Sequence, residues 1–224
     1  PSLDTLGFFA REANDLALVR AAYGHAAADP VRQAPRIGLM RTPWWDAVDP
    51  YNAKNIETAA RALRAAGAKV RDWTAPTAWT GLVQAQNRIM TREATQSYAK
   101  ERARFPRLLS PIMTAALAEG DTVSSRQYAD AKKLKRRCLD QLAAAWQSFD
   151  ILLAPSAKGE APSGLGNTGD PLFNRFWTLL GTPCIALPFN FGPFGLPLSV
   201  QLVGSIGSDD QLISWARWVE QKLA

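Results

Sequence analysis

Apolar positions along the chain fall into two kinds of pattern, short unbroken runs and long stripes at helical spacing, and they alternate. Residues 12–24 have helical spacing, with Leu16, Val19 and Ala22 on one face. Arg36 to Met40 (RIGLM) is a short apolar run suited to a buried strand. Asp49-Pro50 then offers an N-cap with proline at the first helical position, and Ala53, Ile56, Ala60 and Leu63 carry the helix to a stop at Gly67. A second strand is expected at Lys69 to Trp73, and the strand–helix–strand unit over 36–73 favours a parallel pair.

The middle third reads as helix over 78–103 and 107–118. A third helix follows, opened by a Ser124/Gln127 capping box and carrying one stripe from Tyr128 through Cys138 and Leu142 to Phe149. Asp150 to Ala154 (DILLA) is a buried strand, and Pro155 to Gly169 is a loop rich in Gly, Pro and Ser. Asp170-Pro171 repeats the cap-and-proline signal, predicting a helix that ends near Gly181. Two further strands are expected at Cys184 to Phe189 and Leu198 to Val203. A closing helix follows, capped by a second box at Ser208/Gln211 and buried along Leu212, Trp215, Val219 and Leu223. With no internal repeat and no long linker, this predicts one α/β layer system.

Composition narrows the class. At 224 residues, 47% hydrophobic and 21% charged, the chain is an ordinary globular length that needs no staples. Cys138 and Cys184 lie in separate apolar stretches and read as reduced core residues, which points to the cytoplasm. No apolar run reaches membrane-spanning length, so no membrane partner is expected. The formal charge of +6 permits an acidic partner without requiring one. The chain opens on Pro1-Ser2 without methionine, so the sequence is expected to begin inside a longer protein.

Catalytic groups are scarce. His25, the single histidine, sits in an Ala-rich segment and reads as a helix-terminal or surface residue. No set of His and Cys ligands exists for zinc, so neither a metal site nor a cofactor is expected. Gly164, Gly166 and Gly169 match a G-x-G-x-x-G pattern by letter, but they stand far beyond the preceding strand and ahead of an Asp170 cap, which argues against a dinucleotide turn. Lys132, Lys133, Lys135, Arg136 and Arg137 have no interleaved aromatics, so they read as a solvated helix face and nucleic acid is not an expected partner.

Four segments in order resemble the amidase signature family: PSLDTLGFFAREANDLALV (Pro1 to Val19), DILLAPSAKGEAP (Asp150 to Pro162), GDPLFNRFWTLLGTPCIALPF (Gly169 to Phe189) and GLPLSVQLVG (Gly195 to Gly204). The resemblance implies a mixed β-sheet flanked by α-helices, with residues 1–224 forming the C-terminal part of one amidase-signature domain that is incomplete without its N-terminal half. It also implies hydrolysis of a carboxylic amide by a serine nucleophile, a relay serine in a cis peptide and a lysine base. All three would lie upstream of Pro1, and no Gly-Gly-Ser run occurs in the chain, so no catalytic residue is assigned here and the isolated chain is expected to be inactive. Ser199 stands where many members have glycine.

What the resemblance carries over is the pocket: Ser156, Gly166, Asp170, Phe173, Asn174 and Trp177 by position, with Asp170 more simply read as a cap. Trp177 and Phe173 would shape the acyl side and Asn174 would offer a polar contact. The expected partners are a small-molecule amide and the N-terminal half of the same protein, with a homodimer left open. Two alternatives stand beside this reading. One is the glutaminase subunit of a tRNA-dependent amidotransferase, although no clear Arg/Asp pair for glutamine stands out. The other is a non-catalytic α/β ligand-binding or interaction module.

Overall fold

The computed structural model describes residues 2–25, 31 and 33–224. Its elements in chain order are α1 (Ala13–Ala22), β1 (Arg36–Leu39), α2 (Pro50–Ala65), β2 (Lys69–Asp72), α3 (Leu82–Ser97), α4 (Ala99–Arg104), α5 (Pro111–Thr122), α6 (Ser125–Ala145), β3 (Ile151–Pro155), α7 (Leu172–Leu180), β4 (Cys184–Phe191), β5 (Pro197–Val203) and α8 (Asp209–Leu223). The five strands form one mixed sheet in the order β2-β1-β3-β5-β4. β2, β1 and β3 run parallel, and β5 and β4 are antiparallel to their neighbours. This is the expected mixed sheet flanked by helices, and the unit over 36–73 is the expected parallel pair.

β3 is central and buried along its whole length, as an unbroken apolar run predicts. Its side chains alternate between two cores. Ile151 and Leu153 face the layer of α2 and α8, with Ile56, Leu63, Trp215 and Val219. Leu152 and Ala154 face the layer of α3, α6 and α7, with Trp79, Leu82, Leu142, Phe176 and Trp177. β5 alternates in the same way: Val200 and Leu202 join the first core and Val203 the second. Ser199 and Gln201 therefore point toward the α7 side of the sheet.

Several local signals act as expected. Asp49 Oδ1 accepts from the Tyr51 amide at 2.8 Å, with Pro50 opening α2. Both halves of the capping box form at α6: the Gln127 amide donates to Ser124 Oγ at 3.2 Å, and the Ser124 amide to Gln127 Oε1 at 2.9 Å. Gly181 ends α7 in the left-handed region at φ 72°. Other elements differ from expectation. The helix predicted over 78–103 is a 3₁₀ turn at Thr77–Gly81, then α3, then α4, with the break at Tyr98. The next helix begins at Pro111 because Ser110 Oγ caps it, accepting from the Met113 amide at 3.2 Å. The second capping box does not form, since the Ser208 hydroxyl turns back to donate to the Ser205 carbonyl at 2.7 Å. Asp170 caps from one position earlier than expected, accepting from the Leu172 amide at 3.0 Å ahead of Pro171.

One ion pair locks the register of β1 against β3. The Asp150 carboxylate accepts from the Arg36 amide at 2.7 Å and from its guanidinium at 2.7 and 3.1 Å. Partial burial pushes the Asp150 carboxyl upward, but the Arg36 bonds outweigh it and hold the group below the usual aspartate range. A depressed folded-state pKa stabilises the fold above the unfolded value of about 3.9, and that stability is lost as pH falls through the folded value. Asp150→Asn is therefore expected to cost about 1–2 kcal/mol at pH 7. The gap in melting temperature between variant and wild type should be flat from pH 8 to 5 and close below about pH 4. Thermal melts across that range check it, and a gap that widens in acid would contradict it.

Candidate functional site

The sequence-predicted site residues cluster around the carboxyl end of β3 and the helix that follows the Gly-rich loop. Ser156 is the first residue past β3 and is buried. Its hydroxyl lies 2.5 Å from that of Ser199 on β5. Its carbonyl accepts from Asn174 Nδ2 at 3.0 Å, and Asn174 Oδ1 in turn accepts from Gln201 Nε2 at 2.8 Å. One polar chain thus runs from the end of β3 across α7 to the middle of β5. Gln201 is buried, and its Oε1 has no hydrogen-bond partner among the described residues.

Beside this chain lies a cavity of about 800 Å³, within the range of small-molecule sites. It is bounded by the outer edge of β4 (Cys184 to Pro188), the arm of residues 5–12 with α1, one side of α7, and α8. Two contacts hold α1 in place against α8. The Glu220 carboxylate accepts from the Ala13 amide at 3.0 and 3.1 Å, capping the start of α1. The Arg20 guanidinium bonds Asp210 through two nitrogens at 2.7 and 2.9 Å. Several large apolar side chains on the arm and the β4–β5 turn face outward, among them Phe9, which is fully exposed, and Phe191 and Phe194.

Of the six predicted pocket residues, Asn174 and Trp177 line this cavity, and Ser156 reaches it through Asn174. Trp177 does so by an edge only. It is 1% exposed, set edge-on to Trp79 and tilted against Phe176, and its Nε1 has no partner among the described residues. Phe173 is fully buried in the other core and does not line the cavity. Gly166 lies on the exposed crest of the loop, with nothing within 4 Å of where a side chain would start. Asp170 is exposed and pairs with Lys158 at 2.8 Å, a bond that holds its carboxyl below the usual range. Sequence reasoning missed the β4 edge, the α1 arm and Gln201. Only Ser199 had carried a signal, as a departure from the resembled pattern.

Nucleophile chemistry can be weighed residue by residue. The Ser156/Ser199 pair has the spacing of a nucleophile and a relay, but among the described residues no lysine, histidine or carboxylate bonds either hydroxyl, and Lys158 is held by Asp170. Burial pushes the Cys138 thiol up to about 11 and the Cys184 thiol up to about 12, so both stay protonated at neutral pH. His25 is exposed just past α1, at the cavity's rim. The Ser2 hydroxyl donates to the Glu93 carboxylate at 2.7 Å, but that group is held below the usual glutamate range and is a poor base, so the described residues build a pocket wall and a polar anchor without an activated nucleophile.

The Amidase family model matches residues 1–213. The chain belongs to the amidase family. It is 27% identical over 238 residues to the 2-amino-5-chloromuconic acid deaminase of Comamonas testosteroni, an alignment covering 98% of this chain and 51% of that protein. It is 25% identical over 268 residues to a glutamyl-tRNA(Gln) amidotransferase component from a Cyanothece strain, covering 98% of this chain and 55% of that protein. The chain spans about half the length of the curated relatives it matches. The fold agrees. A crystal structure of an amidase superposes with a TM-score of 0.82 at 24% identity, over 96% of this chain and 52% of that one. The substrate complex of 6-aminohexanoate cyclic dimer hydrolase gives 0.74 at 19% identity, over 96% and 54%. Among the described residues of this amidase-family chain, no helix is long and apolar enough to cross a membrane.

Proposed function

We propose that residues 1–224 form the pocket-bearing part of an enzyme that hydrolyses a carboxylic amide to an acid plus ammonia or an amine. The observation that carries this is the coincidence of the family match over residues 1–213 with a cavity of about 800 Å³ lined by α7 and the β4 edge. In this reading the serine nucleophile, the relay serine and the lysine base belong to the part of the family fold that residues 1–224 do not contain. Asn174 and Trp177 bound the acyl side of the substrate, Ser156 anchors Asn174, and Phe173 supports α7 from below. The protein acts in the cytoplasm without a cofactor.

The names of several relatives favour a second reading, a glutaminase subunit serving a tRNA-dependent amidotransferase. Holding glutamine requires a free cation for its carboxylate and a free anion for its ammonium. Arg20, at the cavity, is already bonded through two nitrogens to Asp210, which leaves the exposed Arg11 of the arm as the cavity's remaining arginine. One experiment separates the readings. The complete gene product is mapped by mass spectrometry and assayed for ammonia release from glutamine and from a panel of aliphatic and aryl amides. Release from neutral amides with glutamine inert is the expected result, and turnover of glutamine alone would favour the second reading. Release from nothing, by a protein of 24.5 kDa encoded as such, would leave a binding module.

A further inference from the structure

A second cavity, of about 470 Å³, opens where α3, the end of α5 and the start of α6 meet α7. Its polar lining is Gln84, Asn87 and Arg88 of α3, Glu119 of α5, Gln127 of α6 and Arg175 of α7, none of which lines the cavity along β4. Arg88 and Arg175 are half-buried, and neither has a hydrogen bond or an ion pair among the described residues. The other half-buried arginines described are all engaged. Arg20 bonds Asp210, Arg92 donates to the Val123 carbonyl at 3.1 Å, Arg102 pairs with Asp121 at 2.7 Å, and Arg217 has a partner as well. The carboxylates near the two free arginines are already committed. Glu119 accepts from Asn87 Nδ2 at 2.5 Å and pairs with neither arginine. Asp170 is bonded to Lys158 at 2.8 Å; that bond holds its carboxyl down, and Arg175 adds to the effect only through space.

A guanidinium partly withdrawn from water has five N–H donors to satisfy, and without an internal acceptor it leaves them to solvent or a ligand. Here two such groups line one concave surface against a single carboxylate, so the lining carries excess positive charge. Gln127, whose Oε1 is committed to the Ser124 amide, retains its Nε2 donors. The planar guanidinium fork matches a carboxylate through two parallel hydrogen bonds. Two arginines on separate helices therefore suit a ligand with two carboxylates better than a single compact oxyanion. The volume is in the range of small-molecule sites.

We infer that this second cavity binds a small dicarboxylate, with Arg88 and Arg175 as its cationic partners. Glu119 opposes the ligand's charge and limits the affinity. The inference goes beyond the amide-hydrolysing reading and does not depend on it.

The test is calorimetric titration of the complete gene product with succinate, and with succinamide as a probe of the same length without charge. Succinate should bind saturably and succinamide should not. Arg88→Gln and Arg175→Gln should each weaken succinate at least about tenfold, the loss expected of a charge-assisted hydrogen bond. Glu119→Gln keeps an acceptor for Asn87 and removes a negative charge, so it should tighten succinate about two- to fivefold. Arg61→Gln, at an exposed position on α2, should leave binding unchanged. Because Arg88 and Arg175 bond nothing among the described residues, their ligand-free variants should melt within about 2 °C of wild type. Absence of binding at millimolar succinate would overturn the inference, and so would equal binding of succinamide or binding that neither arginine variant weakens. Inorganic phosphate that bound at the same arginines more tightly than succinate would overturn the dicarboxylate assignment. A ligand-free melt lowered by more than about 5 °C in both arginine variants would mark the two as structural and overturn the inference as well. The readout is independent of turnover, so no outcome bears on the amide reading.

Discussion

Residues 1–224 expressed alone are expected to release no ammonia or amine from any carboxamide, while the complete gene product does. The reason lies in what the described side chains can do. A serine hydroxyl needs a base to take its proton, and the hydroxyls of Ser156 and Ser199 bond each other with no base on either among the described residues. Both thiols are held protonated by burial, and the Lys158 ammonium is paired with Asp170. Loss of a nucleophile and its base removes about a million-fold in kcat in a serine hydrolase, leaving only the assay background. Binding should survive in part, because the cavity walls contributed by α7 and α8 are in place. The measurement is coupled ammonia detection on the 1–224 chain and on the complete protein at equal concentration. Turnover by the isolated chain at even a thousandth of the complete protein's rate would overturn the expectation and make the Ser156/Ser199 pair the first target, through Ser156→Ala.

Much of the framework was legible because it rests on local chemistry. Asp49-Pro50 opens α2, Ser124 with Gln127 opens α6, and Gly181 closes α7, each by a bond or a backbone conformation reaching no more than three residues. β3 could be read from its composition, since a strand buried on both faces has no polar alternation to blur it. The misses have equally local causes. Ser110-Pro111 carries the same cap-and-proline signal as Asp49-Pro50, yet the predicted helix began three residues before it. Ser208 and Gln211 have the letters of a capping box, but the competing Ser205 carbonyl takes the hydroxyl. No Gly or Pro marks the bend at Tyr98.

The candidate site was legible only where it is carried by one element. Asn174 and Trp177 share a side of α7, and both reach the cavity. Phe173 reads the same way on a helical wheel and lies instead in the other core. α7 is buried around most of its circumference, so spacing cannot tell core from cavity. The polar chain through Ser156, Asn174, Gln201 and Ser199 joins positions 18 to 43 residues apart, through the register of β5 against β3. No periodicity in the sequence encodes that register. The resemblance stated from the sequence placed Ser199 as a departure from pattern, and the structure gives it a partner.

Gly120→Ala is expected to destabilise the chain although it replaces glycine by the best helix former. Gly120 lies in α5 where that helix crosses α3, and it is buried. A methyl group there would meet the Thr91 carbonyl oxygen and the Thr95 hydroxyl far inside contact distance. The hydroxyl could rotate, but the carbonyl belongs to the backbone of α3 and cannot yield without moving the helix. Thr95 also bonds the Thr91 carbonyl at 3.0 Å and the Leu117 carbonyl of α5 at 3.1 Å, so separating the helices would break the bond between them as well. Helix propensity favours alanine by about 1 kcal/mol, and overpacking a tight contact costs about 1–3 kcal/mol. Adding the strained interhelix bond, the cost wins, with a net loss of about 1–2 kcal/mol for alanine. Gly120→Val, which has a smaller propensity gain than alanine and more volume, should lose about 3 kcal/mol, or roughly 6–12 °C in melting temperature for a chain of this size. Gly166→Ala, with open space around it, should change stability by less than about 0.5 kcal/mol and serves as the control. Thermal melts of the three variants decide the matter: a Gly120→Ala melting temperature at or above wild type would show that α3 and α5 can part freely. The consequence would reach the cavity, because α3 also packs on α7, and a loosened α3 would release the wall that holds Trp177 against Trp79.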